Sequence, residues 1–307
     1  MSRIRQMKKI IGYLREYFVN IDKRMLLLAT IFTAIIVFCN YYFDLNRSIR
    51  LLDATFQYLC WFFIFLFAFG FGYWLYYLFS PSSILRNRMF WVLLLLAPAV
   101  FSWKMVYSLD IQFSTNYFEN RYWTAVVYWP FKVAVITGLL FIIHQLSGRE
   151  KSFYGVSTKN FSAKPYLVML LLMVPLVAVA STQPDFLAMY PRMQNIEYLQ
   201  QTGKGWHKLL YQLSYGTDFF SIELFFRGFL ILAFAKYAGQ AAILPMAIFY
   251  CAIHFGKPLG ECISSYFGGL ILGVVSYHTQ TILGGFLVHV GIAWLMELGG
   301  YIGQHYF

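Results

Sequence analysis

The sequence predicts an all-α, polytopic membrane protein, and three observations predict it. Of the 307 residues, 60% are hydrophobic and only 12% are charged, whereas a soluble domain carries about 25% charged residues. The apolar residues come in unbroken runs, many close to the ~20 residues that a helix needs to cross a ~30 Å hydrocarbon core. The 24 basic residues outnumber the 13 acidic ones and gather in the first 24 positions and a few connecting segments, as topogenic charge does. In a soluble chain such a balance would suggest nucleic acid. Here it excludes that partner in favour of the lipid bilayer.

The spans follow in order. A basic lead (Arg3, Arg5, Lys8, Lys9, Arg15, Lys23, Arg24) precedes an apolar run at 25–43. That run has spanning length and no small-residue cleavage pattern, so it reads as a first span rather than a cleaved signal peptide. Further spans are expected at 57–79, at 89–103 (short, ending at Trp103-Lys104) and at 123–146, which holds Pro130 and Lys132. The others fall at 166–182, 208–236, 240–255, 262–277 and 281–298, giving about eight to nine transmembrane helices. Residues 183–206 are polar (Gln183, Asp185, Arg192, Gln200, Gln201) and are expected to form an extramembrane loop or a short surface helix. The lead, the Arg86/Arg88 loop and the Arg149/Lys151/Lys159/Lys164 loop are basic, while the connections between them are near neutral. This predicts a cytoplasmic N-terminus.

Two regions differ in character. Residues 1–165 form mostly aromatic and aliphatic membrane helices. Residues 166–307 carry the intramembrane polar groups and glycines such as Gly268, Gly269, Gly273, Gly284, Gly285 and Gly291, which let helices approach closely. The four cysteines form no CxxC pair and read as small buried hydrophobes rather than a disulfide frame or zinc site.

Three short patterns lie inside these apolar helices: Glu223-Leu-Phe-Phe-Arg227, Tyr250-Cys-Ala-Ile-His254 and His289-Val-Gly-Ile-Ala293. A charged group near a membrane helix centre costs at least ~2.5 kcal/mol, so such residues mark a functional site by default. Four-residue helical spacing puts Glu223 and Arg227 on one face as a candidate ion pair, and puts Asp218 on the face of Ile222. Glu297 lies two turns beyond His289 as a further site carboxylate or an interfacial anchor. Two histidines and a carboxylate on separate helices allow a divalent metal such as zinc. They equally allow a water held between a base and an imidazole, and spacing does not choose. There is no HExxH, and no serine sits in an activating pattern.

The order of these patterns resembles the CPBP family (CAAX protease and bacteriocin-processing, or Abi, proteins) of intramembrane endopeptidases, whose motifs are E-E-x-x-x-R, F-x-x-x-H and H-x-x-x-N/D. Ile222-Glu223-Leu-Phe-Phe-Arg227-Gly228 resembles the first, Tyr250 to His254 the second, and Ile282 to His289 the lead-in to the third. The resemblance covers about 205–300. It implies a CPBP-type core in the C-terminal half, a bacterial cytoplasmic (inner) membrane location, and cleavage of a peptide or membrane protein substrate. It carries over Glu223, Arg227, His254 and His289. The family's first glutamate is Ile222 here, and its Asn or Asp after the last histidine is Ala293. Asp218, one turn from Ile222, is the candidate replacement carboxylate. The expected chemistry is water activation by Glu223, with Asp218 as a candidate second carboxylate, together with His254. His289 is expected to stabilise the oxyanion and Arg227 to hold Glu223. The alternative is a catalytically degenerate CPBP-fold scaffold or immunity-type protein. Transport has no support, because no repeated pair of broken helices is present.

Overall fold

The computed structural model describes residues 3–80, 86–148, 152–159, 161–199 and 205–306. Among them there is helix and no strand. A backbone in lipid must satisfy its own hydrogen bonds, and a helix does so within one segment. The helices are α1 (Arg3–Asn20), α2 (Lys23–Tyr42), α3 (Leu45–Arg50), α4 (Ala54–Phe79), α5 (Arg88–Val106), α6 (Tyr117–Leu146) and α7 (Ala163–Ala180). They continue with α8 (Pro184–Met189), α9 (Gly205–Glu223), α10 (Ala235–Ala238), α11 (Ile243–Ala252), α12 (Leu259–Thr279) and α13 (Leu283–Tyr306).

Seven of these, α2, α4, α5, α6, α7, α12 and α13, are long and apolar enough to cross a membrane by length and composition. The other two expected spans are also helical but are built differently. The 208–236 span is α9 followed without a break by a π-helical segment, Leu224–Ala233. The 240–255 span is α11, only 10 residues long and buried throughout. It is too short to cross a bilayer and reads as a core helix. A turn containing Gly256 at φ +84 ends that run, a conformation glycine adopts at little cost.

The basic lead is itself a helix. In α1, Ile10 and Tyr17 are buried while Lys8, Lys9 and Arg15 are exposed. Helix starts obey local rules: Asp22, Asp53 and Asn87 cap α2, α4 and α5 by accepting hydrogen bonds from first-turn amides, as side-chain oxygens at N-caps do. The polar segment after α7 holds α8 and a 3₁₀ turn at Arg192–Leu199. Its Gln200 and Gln201 lie outside the described residues, as do Arg149 and Lys151 of the basic loop.

The chain folds as two compact units, each assembled from separate segments. The first comprises Met1–Tyr107, Leu140–Phe161 and Leu224–Leu283. Its interior is aromatic: the Phe65 and Phe249 rings lie 4.9 Å apart, Phe101 and Phe225 5.0 Å, and Phe226 and Phe249 5.4 Å, tilted or edge-on, the arrangement ring quadrupoles favour. Small residues bring the helices together: a Cβ on Gly72 would strike the Pro245 backbone.

The second unit comprises Ser108–Leu139, Ser162–Glu223 and Gly284–Phe307. Trp129, Tyr211, Tyr215 and Ala293 pack in one cluster, and Val177, Phe186, Tyr190 and Met296 in another. Here α13 approaches its neighbours through glycines. A Cβ on Gly284 would overlap the Tyr166 ring, and one on Gly291 the Leu170 side chain.

Candidate functional site

In the second unit the structure joins Glu223 to His289. Glu223 is the last residue of α9 and its carboxylate is 0% exposed, while the His289 side chain is 16% exposed. Glu223 Oε1 lies 3.0 Å from His289 Nδ1. Two helical pairs at four-residue spacing build this contact. On α13, Gly285 lies one turn before His289, and a Cβ there would overlap Glu223 Oε2. The glycine clears the space that the carboxylate occupies. On α9, Phe219 lies one turn before Glu223, and its ring rests on the His289 imidazole with centroids 4.5 Å apart. A carboxylate oxygen accepts, so Nδ1 carries the hydrogen and Nε2 is the basic nitrogen of the neutral ring, the arrangement by which a carboxylate fixes a histidine tautomer.

The first unit holds Arg227 and His254 around Tyr250. Arg227 lies in the π segment and is 0% exposed. Its guanidinium carbon stands 4.3 Å from the Tyr250 ring centroid, a cation–π contact strengthened by the loss of water. The His254 ring meets Tyr250 edge-on at 4.8 Å, and His254 Nδ1 donates to the Tyr250 carbonyl over 2.8 Å. That bond makes Nε2 the basic nitrogen of this imidazole too. Tyr250 is therefore the common neighbour of two expected site residues, a role its sequence position as a tyrosine in place of phenylalanine did not announce.

The α-helical spacing that put Glu223 and Arg227 on one face changes at Leu224, where α9 gives way to the π segment. Asp218 is half-buried in α9, and its Oδ1 accepts from Ser221 Oγ at 3.2 Å. Ile222 is buried, and Ala293 packs in the Trp129–Tyr211–Tyr215 cluster, so at position 293 aromatic packing stands where the family motif places a polar group.

Glu297 serves the scaffold. Its Oε1 accepts from the Arg192 amide at 2.7 Å, and its Oε2 accepts from the Met193 amide at 3.2 Å and from Gln212 Nε2 at 2.9 Å. It anchors the polar segment after α8 to α13. Two further polar placements escaped the sequence reading: Gly285 as the seat of Glu223, and Lys132, buried in α6 with its ammonium hydrogen-bonded to the Tyr128 hydroxyl and 4.0 Å from that ring's centroid. The signals were present, a glycine one turn from a site histidine and a lysine one turn from a tyrosine. Among the described residues no three or more His, Cys, Asp or Glu side chains are grouped to hold one metal ion.

Residues 210–295 match a family model described as type II CAAX prenyl endopeptidase Rce1-like. The matched stretch holds all three patterns and supports CPBP family membership. No curated protein and no solved structure matches the chain.

Proposed function

From the premise of a CPBP-type integral membrane protein, we propose that this chain is an endopeptidase that hydrolyses a peptide or membrane-protein substrate at the bilayer. The observation that carries this reading is the buried Glu223–His289 hydrogen bond of 3.0 Å. Structural packing alone would favour an apolar pair of the same volume, since burying ionisable groups without a function is costly.

In this reading water attacks the scissile carbonyl carbon. His289 Nε2 takes the water proton and passes it to the leaving amine nitrogen, yielding a carboxylic acid and an amine without a covalent enzyme intermediate. Glu223 is a positioning residue: it holds the tautomer and stabilises the imidazolium, as the carboxylate of a hydrolase triad does. His254 offers a second imidazole with Nε2 basic, and its role, with those of Arg227 and Asp218, rests on the family resemblance and on spacing. The basic lead favours a cytoplasmic N-terminus, and the bacterial inner membrane is part of this reading only through the family resemblance.

One observation favours the rival scaffold or immunity-type reading: Ile222 and Ala293, at two motif positions, are buried apolar residues. Full-length protein in nanodiscs, offered fluorogenic peptides with and without a prenylated C-terminal cysteine, separates the two. An enzyme cleaves one class, and Glu223→Gln and His289→Asn each lower kcat by about 10²-fold or more. If wild type and Ile222→Glu are both folded and both inert, the enzyme reading fails. Turnover gained only in Ile222→Glu identifies a degenerate relative.

A further inference from the structure

Cys251 in the last turns of α11 and Cys262 in the first turn of α12 are both fully buried. Their Sγ atoms lie 4.0 Å apart. Each thiol also faces the other residue's backbone: Cys251 Sγ is 3.3 Å from the Cys262 carbonyl oxygen, and Cys262 Sγ is 3.7 Å from that of Cys251. These reciprocal contacts set the two helices side by side at this point. A disulfide bond is about 2.05 Å long, so side-chain rotation within the packed pair has a gap of about 2 Å to close. Their separation in sequence hides this pairing, because the close approach arises only where α12 folds back on α11.

We propose that Cys251 and Cys262 form a redox modification site, a dithiol that a disulfide-bearing oxidant converts to an intramolecular disulfide. One thiolate attacks a sulfur of the oxidant R–S–S–R, forming a mixed disulfide and releasing RS⁻. The second thiolate then attacks the cysteine sulfur of that mixed disulfide and releases the second RS⁻. Each cysteine is oxidised by one electron, the oxidant gains both, and the two thiol protons leave with the two released thiols. The entry point is the start of α12. Leu259 and Gly260 there are exposed and Pro258 at the N-cap makes no side-chain capping bond, so local opening of this turn, against the Lys257–Glu261 pair, is the route that uncovers Cys262.

The closed loop contains Gly256 and His254. Oxidation therefore cross-links the turn that carries the second imidazole, which gives the site a consequence beyond the thiols themselves. The proposal rests on contacts inside the first unit and its readout is thiol chemistry, so it stands or falls apart from the hydrolytic reading.

The test treats full-length protein in nanodiscs with dithiodipyridine, a membrane-permeant aromatic disulfide, while folding is followed by circular dichroism. Non-reducing peptide mapping is expected to find the Cys251 peptide joined to the Cys262 peptide, lighter by two hydrogens and restored by a thiol reductant. The cross-link should vanish in Cys251→Ala and in Cys262→Ser and persist in the double variant Cys39→Ser/Cys60→Ser. The oxidised wild type should melt at a higher temperature than the reduced, since the cross-link constrains the unfolded chain, and the single variants should show no such rise. Recovery of both cysteines unmodified, or as separate pyridyl mixed disulfides in folded protein, would overturn the proposal.

Discussion

The two compact units bury their polar groups by different means. The second matches a carboxylate to an imidazole through a directional bond and removes a side chain, at Gly285, to make room for it. The first lays a guanidinium on the face of Tyr250 and hangs His254 from that residue's ring and carbonyl. A hydrogen bond to a charged group is worth about 1.5–3 kcal/mol and is strict about geometry. A desolvated cation–π contact is worth about 2 kcal/mol and tolerates displacement. The difference teaches where each unit is fragile: the second through sterics at one glycine, the first through loss of one ring.

The sharpest way to break this contrast is Gly285→Val. Overpacking costs about 1–3 kcal/mol in general. Here the added carbons strike a buried, bonded carboxylate, so the expected loss in detergent melting is at the top of that range, with any turnover abolished. Gly268→Val, where a Cβ meets nothing within 4 Å, should cost under about 1 kcal/mol. Equal effects at the two glycines would show that Gly285 is not the seat of Glu223.

Glu297→Ala comes next. It strands two backbone amides and the Gln212 amide, and should cost about 2–3 kcal/mol by chemical denaturation. If the variant melts like wild type, the anchoring of the polar segment by Glu297 is wrong.

In the first unit, Tyr250→Leu should lower stability by about 1–2 kcal/mol through loss of the ring face under Arg227. Tyr250→Phe keeps that face and should recover most of the loss. A phenylalanine variant as damaged as the leucine one would remove the ring from the account.

The smallest effect belongs to Asp22, at the aqueous start of α2, and it sets the scale for the buried groups. Its side-chain bond to Arg24, followed by the Arg24 and Met25 amides, holds its carboxyl below the ordinary value of 3.8. A lowered folded-state value means that its contribution is complete above that ordinary value and is lost as pH falls through the folded one. Helix melting followed below about pH 4 should show a shallow acid step that Asp22→Asn lacks.

Much of this architecture was legible because it follows from length and hydropathy. All nine expected apolar runs are helical, and the polar 183–206 region does contain a short helix and a 3₁₀ turn where described. What escaped depended on packing. Nothing in Leu224–Ala233 forbids an ordinary α-helix, yet the segment is π-helical with Phe225, Phe226 and Phe229 wholly enclosed by the aromatic interior. Wide turns of this kind occur often at functional sites. The 240–255 run read as a span because hydropathy cannot tell a buried core helix from a lipid-facing one. At the candidate site, spacing nominated residues but could not assign their partners. It offered Glu297 as a site carboxylate or an interfacial anchor, and only the folded chain shows that backbone amides of the Arg192 turn claim it.

That last arrangement carries a consequence for timing. A single side chain on α13 fastens two consecutive amides of one segment and an amide on α9. The three attachments share one acceptor, so they do not loosen independently. When Glu297 swings away, the Arg192 and Met193 amides are expected to gain exchange with solvent deuterium in the same event, while Tyr211 and Gln304 still hold the Arg192, Tyr190 and Gln194 positions of the segment.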